Sequence, residues 1–203
     1  MTAALPTHGR PAANRVIAIA TSAGGLAALI RLLGDLPAAL SAGVLVVQHL
    51  QADRRSYLPE ILRRHTSLRV VLATHGARLE LGTVYVAPPN FHLLIRPDRR
   101  LELSQLPPLH HCRPSGDRLF ASIGPSFGCD GIAVVLTGAG CDGADGAQAM
   151  RRQGGTVIVQ DLVSAAFDGM PRAAVRAGVV DRVLPLGDIA GALEGLVGTG
   201  AAW

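Results

Sequence analysis

Ser22, His49 and Asp142 each stand just beyond a short apolar run, and together they are the three side-chain types of a nucleophilic hydrolase. Val16-Ile17-Ala18-Ile19-Ala20 leads to Ser22, and Val44-Leu45-Val46-Val47-Gln48 leads to His49. Ile132-Ala133-Val134-Val135-Leu136 leads through a glycine turn to Asp142. A serine hydroxyl becomes a nucleophile only beside a base, and a carboxylate behind that base fixes its tautomer and steadies its charged form. Ala23-Gly24-Gly25 follow Ser22, so the serine sits in a tight strand-to-helix turn whose N–H groups suit an oxyanion or a phosphate. Catalysis, anion binding and plain turn chemistry all fit that segment alone. The turn after the first strand carries no GxGxxG pattern and the chain has no lysine, which weighs against a nucleotide site there. His75, His92, His110 and His111 compete with His49 as bases, whereas His65 suits the end of a helix. Asp142 and Asp145 also suit the start of the helix beginning there, where either would act as a cap.

These residues need a sheet that brings strand ends together. Apolar runs and helical patterns alternate: strand 16–20, helix 25–33, strand 44–48, helix 56–64, strand 69–73. That order predicts an α/β fold, a doubly wound and mostly parallel sheet with helices on both faces. The carboxyl ends of such strands form one edge, where ligands of open α/β sheets bind. In the middle, runs 83–87 and 92–95 flank Pro88-Pro89-Asn90, and 101–103 follows, predicting an antiparallel hairpin insertion. Alternation resumes with helix 115–122, strand 132–136, helix 143–152 and strand 156–159, then helices 171–177 and 187–197. Pro6, Gly9 and Pro11 interrupt residues 1–14, read as a flexible N-terminal extension, so the folded domain is expected over 15–203.

Composition narrows the function classes. The 203 residues are 49% hydrophobic and only 3% aromatic, which allows a sizeable aliphatic core and offers no platform for stacking bases. The net charge of +4 comes from arginines scattered singly or in pairs, as solvated faces produce, so a nucleic-acid partner is not expected. Three cysteines, Cys112, Cys129 and Cys141, share no CxxC spacing and point to a reducing compartment. No apolar run reaches the roughly 18 residues of a membrane span, so a cytoplasmic protein without membrane insertion is expected. No metal-ligand spacing recurs and serine chemistry needs no cofactor, so none is expected.

Six segments in one order carry a resemblance: Ser22-Ala23-Gly24-Gly25, Val47-Gln48-His49, Val84-Tyr85-Val86-Ala87-Pro88, Arg113-Pro114-Ser115-Gly116-Asp117, Leu136-Thr137-Gly138 with Asp142-Gly143, and Gly169-Met170-Pro171. From about Val16 to Leu186 the chain resembles the catalytic domain of CheB-type protein-glutamate methylesterases, the chemotaxis receptor demethylases. The resemblance implies a serine hydrolase removing methyl esters from glutamyl residues of chemoreceptors, with glutamine deamidation as a companion activity. It implies Ser22 as nucleophile, His49 as general base and Asp142 as its orienting carboxylate, with substrate and oxyanion contacts at Ala23, Ala139 and Arg113.

Three positions depart from the family pattern: Ala23 where threonine is frequent, Cys112 where a histidine often stands, and Ala139 where methionine is usual. Members commonly carry an N-terminal receiver domain, for which residues 1–14 are too few. The expected partners are therefore the cytoplasmic helices of methyl-accepting chemoreceptors and a regulatory partner in trans. Two other readings stay open: a receptor- or partner-binding module of weak or no activity on the same fold, and an esterase acting on a small ester or a non-chemotaxis protein.

Overall fold

The computed structural model describes residues 10–49 and 56–198. Its frame is a seven-stranded sheet in which every pair is parallel, the strands lying side by side in the order 69–72, 83–86, 43–48, 16–21, 131–135, 156–160 and 182–184. The strands are β1 (Val16–Thr21), β2 (Gly43–Gln48), β3 (Arg69–Leu72), β4 (Thr83–Val86), β7 (Gly131–Val135), β8 (Thr156–Gln160) and β9 (Arg182–Leu184). A separate antiparallel pair joins β5 (His92–Ile95) to β6 (Leu101–Ser104). The central strands β1, β2 and β7 are buried on both sides almost throughout, which is why they read as unbroken apolar runs.

Alternate side chains of these strands enter two aliphatic layers. Val16, Ala18 and Ala20 face α3 (Gly116–Phe127), α4 (Ala144–Arg152), α5 (Gly169–Arg176) and the β5–β6 hairpin. Ile17 and Ile19 face α1 (Gly25–Asp35), α2 (Leu58–Leu62) and α6 (Leu186–Val197). The doubly wound arrangement expected from the sequence is present. Because β1 sends the chain to β2 on one side and β7 returns on its other side, the strand order reverses at β1. The crevice at a reversal of this kind is where such sheets place their ligands.

Several expectations need correction. The run 83–87 does not pair with 92–95; β4 is an interior parallel strand between β2 and β3, and the hairpin is β5 with β6. All four residues of β4 are buried, the mark of a strand covered on both faces rather than a hairpin arm. Strand β9 carries no apolar run because it is a three-residue edge strand, mostly exposed. Helix α2 is shorter than 56–64, and α3 runs past 122 to Phe127 with Pro125 in its last turn. Of the expected extension, residues 1–9 lie outside the described residues. Residues 10–13 are tied to the domain: Ala13 N–H donates to Leu79 O at 2.8 Å and Leu81 N–H to Pro11 O at 2.9 Å. The Arg10 guanidinium donates to Gly82 O at 2.7 Å.

Helices α3 and α4 cross closely because Gly146 presents no side chain. A Cβ there would lie 2.4 Å from Asp117 O and 2.5 Å from its Cα, both backbone atoms that cannot swing aside. Gly146→Ala is therefore expected to destabilise the domain by about 1–3 kcal/mol through overpacking. A urea midpoint unchanged from wild type would refute this account of the helix contact.

Candidate active site

The in-register parallel pairing of β1 with β2 and of β1 with β7 sets Ser22, His49 and the Thr137–Asp142 turn along one edge. The ladder continues one step beyond each strand: Ser22 N–H donates to Thr137 O at 3.0 Å and His49 N–H to Thr21 O at 3.1 Å. Side chains then fasten the turns to each other. Thr21 Oγ1 donates to Thr137 O at 2.7 Å, and the Gln48 amide donates to Ser22 O at 2.8 Å. The Thr137 hydroxyl lies 3.0 Å from Ala23 O and 3.2 Å from Phe167 O and accepts the Phe167 N–H at 2.8 Å. The Gln160 amide oxygen accepts Thr137 N–H at 2.9 Å.

The glycines after Ser22 are required by space and backbone. Gly24 has φ +77°, a conformation side chains rarely adopt, and a Cβ on Gly25 would stand 2.2 Å from Gln48 Oε1. Gly138 approaches from β7 just as closely: its Cβ would lie 2.9 Å from Ser22 Cβ and 2.2 Å from Met170 Sδ. Its backbone is pinned from both sides, Gly138 N–H donating to Phe167 O and Met170 N–H to Gly138 O. The Gly169-Met170-Pro171 segment thus buttresses the turn beside the serine. Among the described residues, no hydrogen-bond acceptor meets the N–H groups of Ala23 or Ala139. Ala139 also lines an open cavity of about 490 Å³ with Gly140, Ala165, Ala166, Phe167 and Gly169. A substrate group thus has room beside the Ala139 amide.

His49 Nε2 is 2.7 Å from Asp142 Oδ2, a charge-assisted distance, in a pair whose side chains are 15% and 2% exposed. Asp142 is saturated as an acceptor. Its Oδ1 takes the Ser115 hydroxyl at 2.7 Å and Asp117 N–H at 3.1 Å, while Oδ2 takes Gly116 N–H at 2.5 Å besides His49. Burial alone would raise this carboxyl, but His49, Ser115 and the Gly116 N–H together hold it at about 2. Burial likewise works against a charged His49, yet Asp142 and then Cys112 lift the imidazole from 6.5 to about 9.

Asp142 does not cap its own helix. That position belongs to Asp117 on α3, whose Oδ1 accepts Gly143 N–H at 2.9 Å and Gly146 N–H at 2.7 Å at the start of α4. Asp142, beside α4, accepts the first N–H groups of α3 in return. Each carboxylate terminates the other's helix. Burial pushes Asp117 up to about 6, against the Gly146 N–H and with the Asp142 charge adding to the push. Two neighbouring carboxyls are thereby driven apart, and Asp142 is the member that stays ionised.

The structure brings Ser22, His49 and Asp142 to one sheet edge. The histidine–aspartate contact is formed; among the described residues no hydrogen bond joins Ser22 Oγ to His49, whose Nδ1 instead faces Cys112 Sγ at 3.6 Å. Arg113 was expected to touch substrate, but its guanidinium is committed to the protein. It donates to Asn90 Oδ1 at 2.9 and 2.5 Å and to the carbonyls of Gln105 and Leu106 at 3.2 Å. It braces the loop carrying Cys112. Gln48, Ser115, Asp117 and Thr137 acquire positioning roles that no local pattern assigned them; what marked them was polarity beside apolar runs.

Three of the four competing histidines are engaged elsewhere: His92 is buried against Pro107 O, and His75 Nδ1 accepts Leu103 N–H. His110 pairs with Asp117 and Asp145 at 3.7 Å. Two groups of ligand-type side chains converge, His49 with Cys112 and Asp142, and His110 with Asp117 and Asp145. In the first, both ring nitrogens already have partners, an arrangement suited to moving protons.

A family model described as CheB methylesterase matches residues 17–193. The protein-glutamate methylesterase FrzG of Myxococcus xanthus is 44% identical over 178 residues, 88% of this chain and 53% of its own length. A protein-glutamate methylesterase/protein-glutamine glutaminase of Rhizobium meliloti is 42% identical over 86% of this chain and 49% of its own. The chain thus spans about half the length of these relatives. The crystal structure of the Thermotoga maritima CheB methylesterase catalytic domain superposes with a TM-score of 0.86 at 32% identity, covering 90% of this chain and 98% of that one. The site assembled on this sheet edge and these matches agree: the chain belongs to the CheB methylesterase family.

Proposed function

We infer that the chain hydrolyses glutamyl γ-methyl esters on the cytoplasmic helices of chemoreceptors, with deamidation of glutamine as a second reaction of the same site. The observation that supports this most is the buried His49–Asp142 pair at 2.7 Å on the strand next to the Ser22 turn. Ser22 Oγ attacks the ester carbonyl while His49 Nδ1, the nitrogen Asp142 leaves free, takes its proton. The N–H groups of Ala23 and Ala139 receive the oxyanion. His49 then protonates the departing methoxide, which leaves as methanol. Water, deprotonated by His49, cleaves the acyl-enzyme and restores Ser22. With glutamine the leaving group is ammonia.

No helix among the described residues is long and apolar enough to cross a membrane. Exposed Leu26, Leu106 and Phe167 lie on segments adjoining the site and suit the apolar stripe of an amphipathic receptor helix. A regulatory partner in trans belongs to the same proposal. One observation favours the other reading, a binding module of weak activity: Cys112 rather than Ser22 holds His49 Nδ1. Release of methanol from methyl-labelled receptor by the purified chain decides between them. No release, with the receptor still bound, would establish the binding module.

The pH profile follows from the state of His49. The base must be neutral to accept the serine proton, and its pKa is raised to about 9 by Asp142 and Cys112 against the opposing effect of burial. The imidazolium therefore persists through neutrality, and kcat/KM is expected to climb with rising pH until about 9. A plateau already reached at neutral pH would mean that His49 keeps its ordinary affinity for protons.

A further inference from the structure

Cys112 presents its Sγ 3.6 Å from His49 Nδ1, on the side of the ring opposite Asp142, and the esterase cycle gives it no task. The thiol is held in place. Leu109 and Cys112 exchange backbone hydrogen bonds at 3.1 and 2.8 Å, and Arg113, the next residue, is clamped to Asn90. The other atom within reach of the sulfur is His110 O at 3.4 Å. A sulfur nucleophile beside a base that a carboxylate orients is the general layout of an activated nucleophile. The geometry lets the imidazole take up the thiol proton as the sulfur attacks, with the Asp142 carboxylate paired to the ring on its other side.

We propose that Cys112 is a covalent modification site for hydroperoxides and soft carbon electrophiles, activated by His49, and that its modification withdraws His49 from Ser22. With a hydroperoxide, the sulfur attacks the terminal oxygen, an S–O bond forms and the O–O bond breaks. The departing oxygen takes the proton held by His49. Sulfur is oxidised by two electrons to a sulfenic acid and the peroxide is reduced to water or an alcohol. With iodoacetamide an S–C bond forms, iodide leaves and the proton passes from His49 to solvent. Either adduct fills the space facing Nδ1, the nitrogen the serine needs. The activation of Cys112 stands on the geometry alone, whereas its effect on Ser22 rests on the esterase reading.

Cys129 and Cys141 are internal comparators, because both are exposed whereas Cys112 is half-buried. Burial first, then the neighbouring carboxylates of Asp117, Asp142 and Asp145, push the Cys141 thiol up and keep it protonated. The full chain is treated with limiting iodoacetamide and each cysteine peptide is quantified by mass spectrometry. Cys112 is expected to label roughly tenfold faster than either comparator despite its lower exposure. In His49→Gln the Cys112 rate should fall to theirs while theirs hold. Equal rates in wild type overturn the proposal whether or not the variant folds; a preference that survives in folded His49→Gln overturns activation by His49. For the second half, loss of ester turnover should follow Cys112 labelling, and Cys112→Ala should resist the same treatment. Turnover persisting in fully labelled wild type refutes the block. A wild type without methyl-ester turnover defeats the esterase reading, and the labelling preference still decides the activation of Cys112.

Discussion

Replacing Ser22 by alanine is expected to lower kcat for methyl-ester hydrolysis by roughly 10⁴- to 10⁶-fold, as loss of a sole nucleophile does in serine hydrolases. The effect should be almost purely chemical. The Ser22 backbone supplies the N–H to Thr137 O and the carbonyl to Gln48, and both remain in the variant. Its hydroxyl makes no hydrogen bond among the described residues, so the fold loses nothing with it. Stability should therefore stay within about 0.5 kcal/mol of wild type, as for substitutions away from structural features. Residual turnover reflects the Ala23 and Ala139 N–H groups and bound water. If Ser22→Ala kept wild-type kcat, the nucleophile would lie elsewhere, and Ser22→Ala/Cys112→Ala would show whether the thiol had taken its place.

Asp142→Asn is expected to have the second-largest effect, and on two properties together. An amide is nearly isosteric with the carboxylate but lacks its charge. In a triad this favours the wrong tautomer of the histidine and costs roughly 10⁴-fold in kcat. Here the amide meets a further conflict, because both Asp142 oxygens receive donors: Ser115 and Asp117 N–H on one, His49 and Gly116 N–H on the other. Whichever way the amide turns, its NH₂ group faces an N–H at the start of α3. Two or more buried donors are left without an acceptor, at about 1–3 kcal/mol each. Ser115→Ala is the control, since it removes one of the four donors, along with the α3 cap that accepts Arg118 N–H at 3.4 Å, and leaves the ring anchored; it should cost only about 1–2 kcal/mol. An Asp142→Asn protein as stable as Ser115→Ala would refute the account of a saturated carboxylate.

Much of this site could be read along the chain because the strands that carry it are short, apolar and interior. Residues 16–20, 44–48 and 132–136 leave their register no choice, and a parallel sheet places the residue after each strand on the same edge. What stayed hidden was decided by contacts distant in sequence. Residues 83–87 have the same apolar pattern whether they turn back as a hairpin or enter the sheet, and only their neighbours β2 and β3 select the second. Asp142 looked like a local cap, and Asp117 had no assigned role. That each serves the other's helix depends on how α3 lies against α4, which the small residue Gly146 permits without announcing. Cys112 differs again: its 63-residue separation from His49 and its place in an irregular loop give no periodic signal of their contact. Arg113, adjacent to it, was assigned a substrate contact by the family resemblance, from its place in the Arg113-Pro114-Ser115-Gly116-Asp117 segment. Only the positions of Asn90 and two carbonyls reveal a brace.

The exchange of caps between α3 and α4 divides the site into a half that cannot drift and a half that can. Freeing the Asp142 carboxylate from His49 also strips the first amides of α3 of their acceptor, and moving Asp117 does the same to α4. Loss of aim at the carboxylate is thus an event of partial unfolding, not a side-chain rotation. Any switch that works on the folded protein must act on the opposite flank of the imidazole, where the Cys112 thiol faces the nitrogen that Asp142 does not hold.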